Sequence, residues 1–253
     1  MIRKKLLIIG GSKFIGKSFI NYFNFNKRYK NFEIILILRG SIQNFKSSRN
    51  IKIINQDFEK IKFLPDCDFI LYCLRADSLK KDNELFKTFK KKILKFKDKP
   101  KIIFTSSGVI YGLNGKKKKI KEENKKIIYD YSQLKKYKKK WFLQKSNLEK
   151  KFLELSEFKI KVIILRMFSF LGPSILGLDY APSKFFKSIK NNEKIFINGP
   201  LNTYRSYLDE KDMVEWIIKI FLKFNKKFEI YNFGSENSIK IYDLAIKMYK
   251  RKN

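Results

Sequence analysis

The sequence predicts an α/β fold built on a doubly wound parallel sheet, followed by a smaller C-terminal region. Three observations point there. Short apolar runs alternate with helical stretches through the first half of the chain. The runs are continuously apolar rather than alternating, the pattern of strands covered on both faces. The first of them flows into a glycine-containing turn that opens a helix. The length of 253 residues, 44% of them hydrophobic, suits one α/β domain with a small appendage and excludes global disorder.

Taken in order, Lys5–Ile9 reads as a strand, Gly10–Gly16 as the turn and Phe14–Phe23 as a helix. Glu33–Leu38, Ile51–Ile54 and Asp68–Cys73 are the next three strands. Leu79–Phe96 is a helix broken by Pro100, and Lys101–Thr105 is a fifth strand. The polar segment Lys116–Asn124 reads as a loop. A long helix follows from Tyr131 to about Leu155, and then a strand at Lys161–Arg166. Pro173, Pro182 and Pro200 mark a more irregular last third, with one helix at Met213–Phe224 and another from near Ser238.

Composition narrows the chemistry. There is no histidine, which excludes His-based triads and His metal ligands. Two cysteines, Cys67 and Cys73, cannot form a disulfide framework or a Cys-only zinc site, so no metal is expected. No run approaches the ~18 apolar residues of a membrane span, and no secretory signal opens the chain. A cytoplasmic protein is the expectation. The formal net charge of +34 would ordinarily indicate nucleic acid or an anionic membrane. The excess is almost all lysine, fifty residues against eight arginines, and alanine occurs only at 76, 181 and 245. That skew matches an AT-rich coding bias, whereas nucleic-acid readers favour arginine.

In Gly10-Gly11-Ser12-Lys13-Phe14-Ile15-Gly16, Gly10 allows a tight turn and Gly16 a close approach of helix to strand. The helix N-terminus would then offer free N–H groups to a pyrophosphate. Lys13 stands where the pattern has a small residue. The second strand ends at Arg39, where an acidic residue would bind the ribose of NAD; an arginine suits the 2′-phosphate of NADP. NAD and NADP both remain open.

Together with later motifs, these residues resemble the extended short-chain dehydrogenase/reductase family, in its NAD-dependent epimerase/dehydratase branch acting on nucleotide sugars. Asp57-Phe58 resembles the adenine-contacting pair, and Thr105-Ser-Ser-Gly-Val-Ile-Tyr-Gly112 the strand end that carries the active hydroxyl. Arg166–Pro173, Arg205–Asp212 and Tyr231–Ser235 resemble the later motifs. The resemblance implies a Rossmann domain over residues 1–170 and a small substrate-binding region over 171–253. It implies cofactor contacts at Gly10, Gly11, Lys13, Phe14, Ile15, Gly16, Arg39, Asp57, Phe58 and Cys73. It also implies a nucleotide-sugar substrate whose phosphate is held by Arg205, a homodimer paired through the long helix, and a setting in polysaccharide biosynthesis.

Family chemistry needs a Ser hydroxyl, a Tyr that exchanges a proton and a Lys one helical turn after the Tyr. The resemblance makes Ser107 the hydroxyl. Two registers compete for the pair. Tyr131–Lys135 satisfies the chemistry literally. Trp141–Lys145 satisfies the context, because Glu149 follows Lys145 by one turn and the distance to Arg166 fits one helix, a loop and a strand. The second is favoured, and it puts an indole, which has no proton to exchange near neutral pH, at the Tyr position. Gly108-Val109 follow Ser107 where a 4,6-dehydratase would carry an acidic pair, so epimerase or reductase chemistry is expected over dehydration. A catalytically inactive protein of the same fold, binding RNA or a partner subunit, is the competing expectation.

Overall fold

The computed structural model describes residues 3–26, 28–40, 49–112, 120–122 and 136–251. Its main body is a seven-stranded sheet in the order β3-β2-β1-β4-β5-β6-β9. The strands are β1 (Lys4–Ile9), β2 (Phe32–Leu38), β3 (Ile51–Asn55), β4 (Phe69–Tyr72), β5 (Lys101–Ser107), β6 (Val162–Met167) and β9 (Phe228–Phe233). Every neighbouring pair is parallel. Strand order reverses between β1 and β4, so a crevice opens at their carboxyl ends, the place where open α/β sheets take ligands.

The apolar runs explain the layering. Along β1, Leu6 and Ile8 face one core while Leu7 and Ile9 face the other. Ile34, Leu36 and Leu38 of β2 alternate with Ile35 and Ile37 in the same way. The first core is covered by α1 (Phe14–Phe25) and α5 (Glu210–Lys223), the second by α2 (Leu79–Ile93) and α3 (Lys136–Leu155). Phe152 of α3 is fully buried at the centre of the second core, stacked on Phe104 at 4.5 Å between ring centroids.

A second sheet of three strands runs β10-β8-β7, with β7 at Ser169–Leu171, β8 at Tyr204–Asp209 and β10 at Ser238–Lys240. It carries α4 (Ala181–Lys190) and α6 (Ile241–Lys250), which meet over Phe185, Leu244 and Ala245. The chain enters this region after β6, returns to the large sheet for α5 and β9, and leaves again. Residues 210–233 thus lie beyond position 170 in sequence yet complete the large sheet and its first core.

Among the described residues no helix is long and apolar enough to cross a membrane, and no three His, Cys, Asp or Glu side chains gather as metal ligands.

Candidate functional site

The crevice is bounded on one side by backbone. Gly10 has φ +89°, and a Cβ there would sit 2.8 Å from the Leu74 nitrogen. A Cβ on Gly16 would sit 1.8 Å from the Gly11 carbonyl oxygen, so the turn closes on its own backbone. Both positions therefore demand glycine, for conformation in the first case and space in both. Helix α1 begins here with Lys13 at its N-cap, no side-chain cap and no acidic residue in its first turn. The first N–H groups are left for an outside acceptor. Lys13 is exposed, and Phe14 is buried against Phe170 at 5.3 Å between centroids. Ile15 packs partly buried on the first core. The turn fits a dinucleotide pyrophosphate.

The remaining cofactor candidates sit around it. Arg39 is 84% exposed and lies 3.8 Å from Asp57 across the ends of β2 and β3. Phe58 is buried, with its ring 6.3 Å from Phe89, so its side chain serves the core and leaves only backbone to a ligand. Cys73 closes β4, and burial pushes its thiol up to about 12. The Leu74 side chain packs into the second core, away from the glycine turn that its backbone touches.

The other side of the crevice is made of side chains. Ser107 is buried at the end of β5, and its Oγ accepts the Val109 N–H at 3.2 Å, capping a tight 3-10 turn at Gly108–Tyr111. Lys145 of α3 is buried, its Nζ donating to the Thr105 carbonyl at 2.7 Å and lying 4.8 Å from the Phe104 ring centroid. Burial pulls its ammonium down to about 8, with Arg75 acting in the same direction and Asp82 and Glu149 against it.

One turn later on α3, Glu149 accepts from Ser106 and from Arg166, whose Nη2 reaches it at 2.9 Å. Arg166 also donates to the Tyr111 hydroxyl at 2.7 Å, and that hydroxyl donates to Asn232 Oδ1 at 2.7 Å. Both hydrogen-bonding roles of the Tyr111 phenol are thus engaged. The network ties α3, β5, β6 and β9 together and fixes the roll of α3. Its signal in the sequence was the motif set that supplied Arg166, Tyr111 and Asn232 without showing that they meet.

One turn before Lys145 stands Trp141. Its indole Nε1 is buried and has no hydrogen-bond partner among the described residues. The Arg75 guanidinium carbon lies 5.2 Å from the centroid of its ring. Trp141, Lys145, Arg75, Asp82, Gln144 and Leu74 line a small cavity of about 10 Å³. Nothing in the sequence signals that Arg75 and Trp141 would stack. Tyr131 and Lys135, the alternative pair, lie outside the described residues. Arg205, on β8 in the small sheet, donates to the Tyr204 carbonyl at 2.8 Å.

A family model described as the NAD dependent epimerase/dehydratase family matches residues 6–234. The chain belongs to that family. Its fold is that of solved members at low identity. A dTDP-glucose 4,6-dehydratase from Bacillus anthracis in complex with NAD aligns at TM-score 0.80 and 17% identity, over 98% of this chain and 80% of that one. A UDP-N-acetylglucosamine 4-epimerase from Methanobrevibacter ruminantium aligns at TM-score 0.74 and 20% identity, over 99% and 82%. A UDP-glucuronic acid 4-epimerase from Bacillus cereus, solved with UDP-glucuronic acid and NAD, gives TM-score 0.74 and 17% identity over 98% and 82%. Comparison with curated protein sequences yields no match.

Proposed function

We propose that this member of the family binds a nicotinamide dinucleotide across the Gly10–Gly16 turn and a nucleotide sugar beside it, with proton transfer impaired. The observation that carries the reading is the setting of Lys145. It is buried beside the end of β5, with Trp141 one turn before it and the Glu149–Arg166 pair one turn after. That arrangement supports the Trp141–Lys145 register over Tyr131–Lys135.

When bound, the nicotinamide supplies or accepts hydride. The chain's own residues bind and orient. Ser107 holds the reacting sugar hydroxyl, and the Lys145 ammonium holds the ribose and adds positive charge beside it. Arg205 takes a phosphate oxygen of the substrate. Arg39 selects the ribose 2′ group, favouring NADP to the extent that it outweighs Asp57 beside it. An indole N–H donates a hydrogen bond but exchanges no proton at working pH. The step that a Tyr would assist, ordinarily worth about 10²–10⁴-fold, is missing from the reading. Gly108 and Val109 after Ser107 favour epimerase or reductase chemistry over dehydration. Leu79 on α2, with Leu143 and Leu153 on α3, is exposed and supports a homodimer paired on that face.

The unpartnered Trp141 also favours a second reading, a binding protein without turnover. Titration of the purified chain with NAD, NADP and UDP-glucose, followed by a turnover assay reading nicotinamide absorbance, separates the two. Binding with slow turnover is the expected result. Fast turnover by the unmodified chain would remove the impaired-catalysis part, and no nucleotide binding by a folded sample would remove the whole proposal and turn attention to RNA.

A further inference from the structure

Beyond the end of β4, Arg75 stacks on Trp141 beside Lys145, and the proposed function gives Arg75 no role. Arg75 is exposed, and among the described residues it takes part in no ion pair. Its guanidinium lies over the face of Trp141, and a guanidinium stacked on a ring keeps its in-plane N–H donors for a planar oxyanion. The Trp141 Nε1 donor is buried and unmatched, which costs free energy unless an outside acceptor reaches it. Lys145 has three N–H donors, of which the Thr105 carbonyl takes one.

The cavity these residues share, about 10 Å³, is of the order needed for one water-sized oxygen. Asp82 also lines it, but its two oxygens are taken by the Ala76 N–H at 3.0 Å and by Gln144 Nε2 at 2.6 Å. Two cations against one hydrogen-bonded carboxylate leave the spot net positive.

We propose that Arg75, Trp141 and Lys145 form an oxyanion site. One oxygen of a ligand carboxylate enters the cavity beside the indole N–H, and the other meets the Arg75 guanidinium. The site rests on the nucleotide-binding reading above and names what that reading leaves open: the group held where the family's acid/base residue would act. The oxyanion is a carboxylate on the sugar, because the cofactor pyrophosphate is placed at the Gly10–Gly16 turn and the substrate phosphate at Arg205.

The test is calorimetric titration of the unmodified chain, Arg75→Gln, Arg75→Lys and Trp141→Phe with NAD, UDP-glucose and UDP-glucuronic acid. Arg75→Gln weakens binding of UDP-glucuronic acid by about tenfold or more and leaves NAD and UDP-glucose within about twofold, as expected for loss of a charge-assisted pair. Arg75→Lys recovers only part of this, because the ammonium lacks the planar fork. Trp141→Phe keeps a stacking ring, deletes the N–H and weakens the same probe several-fold. A loss confined to UDP-glucuronic acid assigns the sugar carboxylate, and a loss confined to NAD or an equal loss for both UDP-sugars overturns it. Retained affinity for every probe, within about twofold, in an Arg75→Gln protein that melts like the unmodified chain overturns the site and leaves the proposed function standing. If the unmodified chain binds none of the probes, the proposed function falls and the site with it.

Discussion

The two walls of the crevice are built from different materials. On the β1–α1 side the ligand surface is backbone, shaped by Gly10 and Gly16 and by the open N-terminus of α1. On the other side it is side chains: Ser107 at the end of β5, Lys145 and Trp141 on α3, and Arg75 between β4 and α2. The first wall accommodates Lys13, because a residue at the helix N-cap can send its side chain to solvent without disturbing the N–H groups. The second cannot absorb a change so quietly. On the proposed reading, a single indole in place of a phenol alters what the wall can do while the fold around it stays intact. A binding function written in backbone survives compositional drift better than a catalytic one written in side chains.

The comparison can be broken first at Trp141. Trp141→Tyr should raise turnover of a bound sugar nucleotide by about 10²–10⁴-fold, measured by single-turnover kinetics, if a missing proton carrier is the main defect. No gain, with nucleotide binding retained, would mean that the side-chain wall has changed in more than one respect. Next is Glu149→Ala, which strands Arg166 in the interior. A loss of about 3–5 kcal/mol in urea unfolding is expected. A loss below about 1 kcal/mol would show that the network is not what holds α3 in place.

On the backbone wall, Gly16→Ala must move the Gly11 carbonyl or the start of α1. It should cost about 1–3 kcal/mol and weaken dinucleotide binding more than UDP-sugar binding. The smallest effect concerns Lys145. Its folded value of about 8 lies below that of an exposed lysine, so between the two the unfolded chain holds the proton more tightly. The cost of burying the ammonium is therefore present in full below about pH 8, and stability rises as pH climbs from there towards the ordinary lysine value of ~10.4. Lys145→Met should remove that slope in a melting series and stabilise the protein by about 1–2 kcal/mol at neutral pH, after loss of the Thr105 hydrogen bond.

Much of this architecture was legible in the sequence because β1, β2, β4, β5 and β6 are covered on both faces and therefore carry continuous apolar runs. Their positions, and α1, α2 and α5, follow from those runs to within a few residues. The small sheet and β9 were not legible. Phe228–Phe233 is only half buried at the sheet edge, and its mixed FEIYNF sequence carries neither a continuous apolar run nor a clean alternation. In β8, Tyr204–Asp209 is likewise half buried along most of its length. The glycine turn could be read because a backbone constraint leaves a residue identity behind. The Arg75–Trp141 stack could not, because it joins residues 66 positions apart whose types are unremarkable singly.

The late arrival of β9 has a consequence for how the chain comes together. β6 is paired with β5 on one side and with β9 on the other, in register from Val162 with Phe228 to Met167 with Phe233. Until residue 233 has been synthesised, β6 is the last strand of an unfinished sheet, an apolar edge with a row of unpaired backbone groups. The whole of β7, α4, β8 and α5 has to be accommodated before that edge is covered, a large loop to close. The nascent protein should therefore be most prone to self-association in the interval between emergence of β6 and docking of β9, and a chain ending just before Phe228 should aggregate even though most of its core is present.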